Sequence, residues 1–203
     1  MTRTERHEND LPFTLAHDGG ILYLTLVSTS GANLLTQSLV DTLAMEIENF
    51  SSGADSALDL VISGVPNFSF GADLRQIEQL TGPEALEFAK AGQKLMSIVE
   101  KYPSAYAAIE GHCMGGGLDL ALACGYRIAS PNAVFGHRAA ALGLVTGWGG
   151  TQRLPRLIGK ARAMEIFVTG EKIAAPQALE MGLVDAIADD PVSKAAALIS
   201  ARW

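Results

Sequence analysis

Two short stretches of the sequence have glycine where an apolar run enters a predicted helix. The first is "FGAD" at residues 70–73, and the second is "MGGG" at residues 114–117. At such a junction the first backbone N–H groups of the helix lack partners, and the helix dipole favours negative charge. If the fold brings the two junctions together, their N–H groups can stabilise an oxyanion. The alternative is that glycine only allows tight strand-to-helix packing. Neither stretch matches a phosphate-binding loop.

A carboxylate and several other reactive side chains lie near these glycines. Asp119 falls in the first turn of the helix after the triplet, where it can transfer a proton or cap free N–H groups. His112 and His137 are alternative acid/base groups, because histidine as a residue type suits proton transfer, although a lone histidine is often structural. Arg138 can hold a substrate carboxylate or lie solvated at the surface. Cys113 is either a nucleophile or a small packing residue.

The elements that position these residues belong to a globular protein. The 203 residues suit one large domain, with 48% hydrophobic and 18% charged residues. A net charge of −7 argues against nucleic acid as a partner. The polar N-terminus lacks the apolar core of a signal peptide, and no apolar stretch is long enough to cross a membrane. The two cysteines match no metal or redox motif, so we expect a cytoplasmic protein with no metal site.

The hydrophobic pattern predicts strands alternating with helices, which is typical of an α/β fold. A hairpin turn at residues 18–20 joins the first two strands, and Thr36 is a candidate helix cap. A glycine-rich loop spans residues 143–150. The predicted strands are residues 13–17, 21–27, 57–63, 105–111, 126–130, 133–137 and 183–188. The predicted helices are residues 36–50, 83–100, 118–124, 149–159, 161–170 and 175–182.

Four segments in order resemble one family: "NFSFGADLRQI", "AIEGHCMGGGLDLALACGYRIAS", "AVFGHRAAALGLVTGWGGTQRLPRLIGKARAMEIFVTGEKI" and "APQALEMGLVDAI". Together they resemble the crotonase, or enoyl-CoA hydratase/isomerase, superfamily from the first hairpin to about residue 188. The resemblance implies a spiral of ββα units that binds acyl-CoA thioesters. It also implies an acyl-CoA-binding core over residues 1–190. Residues 191–203 would begin a C-terminal helix, and the segment that commonly closes the site and builds the trimer would largely be missing.

The resemblance also implies roles for individual residues. The backbone N–H groups of Ala72 and Gly116 would form the oxyanion hole, and Asp119 would be the acid/base group. The acyl part would lie near Leu142 and Trp148. The implied substrate-binding residues are Ala72, Asp73, Leu74, Arg75, Gly116, Ala139, Gly147 and Trp148. The basic residues Arg153, Arg156, Lys160 and Arg162 would serve either CoA phosphates or the solvated surface.

Two positions depart from the pattern of typical hydratases, which use two glutamates. Asp119 stands at the first position, whereas Ala139 stands at the second and cannot transfer a proton. A further departure is Gly31 or Ala32, where a basic residue would contact a CoA phosphate. CoA would be part of the substrate, with no separate cofactor, and the assembly would be a homotrimer or hexamer.

The leading prediction is therefore an enoyl-CoA hydratase-like lyase. The alternatives are an enoyl-CoA isomerase, a decarboxylase, a thioester hydrolase or an inactive CoA-binding paralogue. Ala139 motivates these alternatives because decarboxylation needs an enolate-stabilising hole more than it needs two proton-transfer groups.

Overall fold

A computed structural model of the chain describes residues 11–52 and 58–202. Within these residues the chain forms strands that alternate with helices, as the hydrophobic pattern predicts. The strands are β1 (Phe13–Asp18), β2 (Ile21–Val27), β3 (Leu34–Leu35), β4 (Asp59–Val65), β5 (Gly71–Ala72), β6 (Ala105–Ile109), β7 (His112–Met114), β8 (Tyr126–Ala129), β9 (Val134–Gly136), β10 (Ile173–Ala174) and β11 (Ala186–Ile187). The helices are α1 (Gln37–Ser52), α2 (Leu74–Ile77), α3 (Gly82–Lys101), α4 (Gly116–Ala123), α5 (Gly150–Ile158), α6 (Lys160–Thr169), α7 (Ala175–Glu180) and α8 (Pro191–Ser200).

The largest sheet has six strands in the order β1-β2-β4-β6-β8-β11. β1 and β2 form the predicted antiparallel hairpin, and every other pair in this sheet is parallel. Parallel strands are buried on both faces, which explains the nearly continuous apolar character of β4 and β6.

The two faces of this sheet pack against different helices. Leu60 and Ile62 of β4 join the main hydrophobic core, which also holds apolar residues of α1, α3 and α4. Val61 points to the opposite face, where Ala195 and Ile199 of α8 cover it. The tail that was predicted to begin a helix is therefore helical and packed against the sheet.

Two smaller sheets carry the chain toward the glycine-rich junctions. β3 pairs in parallel with β5, so Leu35 lies beside Ala72. β7 pairs in parallel with β9, and this places Met114 beside Gly136. β5 lies within the first junction and β7 leads into the second, so these short pairings determine where the junctions meet.

The structure differs from the sequence prediction in a few elements. The last predicted strand, residues 183–188, is only two residues long, and the side chain of Arg127 binds the Leu183 carbonyl and the Asp185 carboxylate just before it. A 3₁₀ turn spans Ala139–Leu142, between the predicted strand at residues 133–137 and the glycine-rich loop at residues 143–150. Thr36 does cap α1, since its Oγ1 accepts from the Leu39 N–H at 3.3 Å. Over residues 11–52 and 58–202 no helix combines the length and apolar character needed to cross a bilayer.

Candidate active site

The two glycine junctions lie side by side. A Cβ atom added to Gly71 would lie 2.6 Å from the backbone nitrogen of Gly116, and one added to Gly116 would lie 3.4 Å from that of Ala72. Gly71 has a φ of +88°, a backbone conformation that residues with side chains rarely adopt. The fold therefore brings together the two N–H groups that the sequence separates by more than forty residues.

Ser69 is a buried residue that holds both junctions and that no motif in the sequence indicates. Its Oγ accepts from the Gly71 N–H at 3.0 Å and donates to the Asn33 carbonyl at 2.7 Å. Its own carbonyl accepts from the Met114 N–H at 2.9 Å. A Cβ on Gly117 would lie 2.7 Å from the Ser69 carbonyl oxygen, so the third glycine is needed for this close approach. A single serine in a loop carries no local signal of such a role.

Helix α4 starts at the junction with unpaired donors. Its first intrahelical bond runs from the Asp119 N–H to the Gly115 carbonyl at 3.0 Å, so the preceding N–H groups have no partner within the helix. Residues Gly117–Ala123 are buried in the core. The positive end of the helix dipole therefore lies at the half-buried Gly116, while the rest of the helix is in the apolar core.

Asp119 is buried one turn into α4, with 2% of its surface exposed. Its Oδ2 accepts a hydrogen bond from Thr146 Oγ1. Its Oδ1 lies 3.2 Å from Nε2 of the equally buried His137, in an orientation that is not aligned for a hydrogen bond. A Cβ on Gly150, at the start of α5, would overlap Asp119 Oδ1 and lie 3.0 Å from His137 Nε2. Asp119 is thus held between a hydroxyl, an imidazole and a helix N-terminus.

The indole of Trp148 covers the other side of the junction. A Cβ on Gly116 would lie 2.7 Å from Cε3 of the indole, and a Cβ on Gly92 of α3 would overlap the same ring. Phe88 meets Trp148 edge to face, with 5.2 Å between ring centroids. The ring is only 5% exposed. Two glycines therefore make room for one large aromatic side chain beside Gly116.

Helix α3 also holds the backbone of the loop that carries Trp148. Gln93 Nε2 donates to the Gly147 carbonyl at 2.8 Å. Arg153 Nη1 donates to the Trp148 carbonyl at 3.1 Å, and its Nη2 pairs with Glu100 of α3 at 2.8 Å. Arg153 was expected either at the solvated surface or at a CoA phosphate. Its mostly buried side chain instead bridges α3 and the loop.

The remaining predicted substrate-binding side chains are exposed or half-buried. Asp73 caps α2 by accepting from the Arg75 N–H at 3.0 Å. Hydrogen bonds from Arg75 lower the pKa of Asp73 below its usual value. Leu74 and Arg75 are exposed, and Ala139 is half-buried at the start of the 3₁₀ turn.

The other candidate reactive groups have structural surroundings. Nδ1 of His112 lies 3.0 Å from the Asn67 side-chain oxygen, and its ring stacks on Phe70. Complete burial raises the pKa of the Cys113 thiol well above its ordinary value, so the thiolate that a nucleophile requires is disfavoured. Arg138 is exposed. These contacts favour the packing interpretation of His112 and Cys113.

The chain is similar to many known proteins. A family model described as "Enoyl-CoA hydratase/isomerase" matches residues 16–203. A Bacillus subtilis protein named "Probable enoyl-CoA hydratase" is 38% identical over 191 residues, which cover 91% of this chain and 73% of that protein. The crotonyl-CoA hydratase of Syntrophomonas wolfei is 41% identical over 137 residues, covering 66% of this chain. The match spans about half of that hydratase, 53% of its length.

Solved structures show the same similarity in three dimensions. DspI from Pseudomonas aeruginosa is 31% identical with a TM-score of 0.88, over 98% of this chain and 76% of that one. An enoyl-CoA hydratase from Bacillus anthracis is 30% identical with a TM-score of 0.85, over 95% of this chain and 76% of that one.

Proposed function

The chain belongs to the enoyl-CoA hydratase/isomerase (crotonase) family, and from this premise we propose that it is a lyase that adds water to a 2-enoyl-CoA thioester. The observation that carries the proposal is that the two glycine junctions lie side by side, with a Cβ on Gly116 3.4 Å from the backbone nitrogen of Ala72. Both N–H groups would donate to the thioester oxygen, where negative charge develops as an enolate forms. Each such donor typically contributes a factor of about 10² to 10³ in rate. CoA enters as part of the substrate.

Asp119 is the proton-transfer group of this proposal. It follows Gly116 by three residues, so its side chain projects from the same face of α4 and tilts toward the helix N-terminus. The hydrogen bond from Thr146 fixes its orientation, and the His137 ring lies against its Oδ1. Because Ala139 carries only a methyl group, Asp119 serves both proton transfers.

The proposed steps add one water molecule without any other reactant. The Asp119 carboxylate takes a proton from water while the water oxygen bonds to C3 of the enoyl group. The electron pair of the C2–C3 double bond moves toward the thioester oxygen, and the Ala72 and Gly116 N–H groups stabilise the resulting enolate. Asp119 then returns its proton to C2, and the thioester carbonyl forms again. Burial of Asp119 keeps bulk water away from this proton transfer.

The direct test is hydration of crotonyl-CoA, followed by loss of the absorbance of the conjugated thioester. We expect turnover by the unmodified chain and a loss of at least about 100-fold in kcat for Asp119→Ala. Asp41→Ala is the matched control, since Asp41 is an exposed carboxylate on α1. Hydration that survives in Asp119→Ala would contradict the role of Asp119.

A second candidate function follows from the burial of Asp119 and from Ala139. Both features suit a reaction that needs the oxyanion hole more than paired acids, such as loss of CO₂ from a 2-carboxyacyl thioester. There the bond between C2 and the carboxylate breaks, CO₂ leaves, and the enolate takes up a proton from water at C2. Release of CO₂ from malonyl-CoA without hydration of crotonyl-CoA would favour decarboxylation.

The same oxyanion hole would also suit double-bond isomerisation or thioester hydrolysis, and an inactive paralogue would keep only the binding of CoA. A shifted double bond in a 3-enoyl-CoA substrate would favour isomerisation, and release of free CoA would favour hydrolysis. Binding of a CoA thioester without turnover would favour the inactive paralogue.

We also propose that the protein assembles as a homotrimer or hexamer, and we keep the cytoplasm as its predicted location. Exposed apolar side chains of the 3₁₀ turn, the loop after it and helix α6 support the assembly, because such side chains favour contact with another subunit. They are Leu142, Val145, Met164 and Val168. Sedimentation velocity should give at least three times the chain mass of 21.4 kDa. A single monomeric species at micromolar concentration would contradict the assembly.

A further inference from the structure

The indole of Trp148 lies against Gly116, beside the point where the proposed function places the thioester. A thioester oxygen that accepts from the Ala72 and Gly116 N–H groups lies about 3 Å from each nitrogen. The first acyl carbons then lie within one side-chain length of Gly116. The six-membered ring of the indole borders this volume, since its Cε3 lies 2.7 Å from the position of a Cβ on Gly116.

The indole cannot easily move out of this position. Its far edge lies in the notch that Gly92 leaves in α3, and Phe88 contacts it edge to face. The backbone around the ring is also held: the Gly147 carbonyl accepts from Gln93, and the Trp148 carbonyl accepts from Arg153. Moving the ring would therefore break aromatic packing and expose a large apolar side chain.

We propose that Trp148 is a specificity-determining residue that restricts the site to short acyl chains. This inference rests on the proposed function and names its substrate class, the short-chain 2-enoyl-CoA thioesters. A chain longer than the space beside the indole must displace a buried aromatic ring. In a closed apolar pocket even one misfitting methylene typically changes kcat/KM by about tenfold or more.

The first test uses the unmodified protein and two saturated thioesters, butyryl-CoA and decanoyl-CoA, in calorimetric titrations. Saturated thioesters report binding without requiring the reaction. We expect butyryl-CoA to bind at least about tenfold more tightly than decanoyl-CoA. Equal or tighter binding of decanoyl-CoA overturns the role of Trp148 while leaving the proposed function intact. If neither thioester binds, the proposed function is wrong, and this inference is overturned with it.

The second test compares kcat/KM for crotonyl-CoA and trans-2-decenoyl-CoA in Trp148 variants. We expect Trp148→Ala to raise the ratio of decenoyl to crotonyl activity by about tenfold, and Trp148→Phe to raise it less. Leu86→Ala is the control, because Leu86 is an exposed apolar residue on the same helix α3.

A purely structural role for Trp148 predicts a different result. Activity on both substrates would then fall together, and the ratio would stay at the value of Leu86→Ala. That outcome overturns the proposal. If Trp148→Ala does not fold, Trp148→Phe decides the question, since it keeps an aromatic ring against Phe88 and shortens only the outer part of the side chain.

Discussion

Replacing Gly116 with alanine tests the geometry of the junction most directly. The substitution keeps the backbone N–H but adds a Cβ that would lie 2.7 Å from Trp148 Cε3. Carbon atoms in favourable contact are about 3.5 to 4.0 Å apart, so either the indole or the start of α4 must shift. Overpacking of this kind typically costs about 1 to 3 kcal/mol. A displaced N–H group also donates poorly to the thioester oxygen, and such a displacement typically costs about 10² in rate.

Gly82→Ala is the matched control for this substitution. Gly82 is the first residue of α3, as Gly116 is of α4, but a Cβ on Gly82 would meet no atom within 4 Å. We expect Gly82→Ala to leave activity unchanged and to change the free energy of unfolding by less than about 1 kcal/mol, because alanine restricts the unfolded chain but is disfavoured in a helical conformation before Pro83. The assays are urea unfolding and hydration of crotonyl-CoA. A Gly116→Ala protein with the stability and kcat/KM of Gly82→Ala would refute the close packing of Trp148 on Gly116.

Two further predictions concern ionisable groups. Burial raises the pKa of the Cys113 thiol well above its ordinary value and that of the Cys124 thiol to about 12. At pH 8 neither thiol should react with a chromogenic disulfide in the folded protein, and both should react in urea; fast labelling without denaturant would contradict their burial. Asp190 caps α8, and hydrogen bonds from Ser193 lower the pKa of its carboxyl. When the pKa of a carboxyl is lowered in the folded state, the carboxyl stabilises the fold at pH values above its unfolded pKa of about 3.9. This contribution is lost as the pH falls through the pKa of the folded state. Asp190→Ala should therefore lower Tm at pH 6 more than below about pH 3, whereas a difference that does not vary with pH would argue against this contribution.

The local features of the fold follow from short-range rules that can be applied to the sequence. The turn at residues 18–20 joins β1 and β2, and Thr36 caps α1, as predicted. Helix α3 begins and ends within one residue of the predicted bounds. These features depend on neighbouring residues, whose backbone preferences and hydrophobic spacing can be read directly.

The surroundings of the candidate site depend on contacts between distant parts of the chain. Thr146 reaches Asp119 across 27 positions, and Gln93 reaches Gly147 across 54. Ser69 gives no sign in the sequence that it joins both glycine junctions. The sequence resemblance could not show which side chains surround Asp119, because those neighbours are determined only when the sheets and α5 close around α4.

The sequence by itself determined the α/β alternation, the family resemblance and the two glycine-bearing junctions with Asp119 one turn beyond. These are local patterns, and their order along the chain is enough to recognise them. Only the tertiary structure decided that the junctions meet, that Asp119 is buried against Thr146 and His137, and that Trp148 covers Gly116. The physical reason is that close packing fixes the distances between side chains, and close packing exists only after the distant segments have folded together.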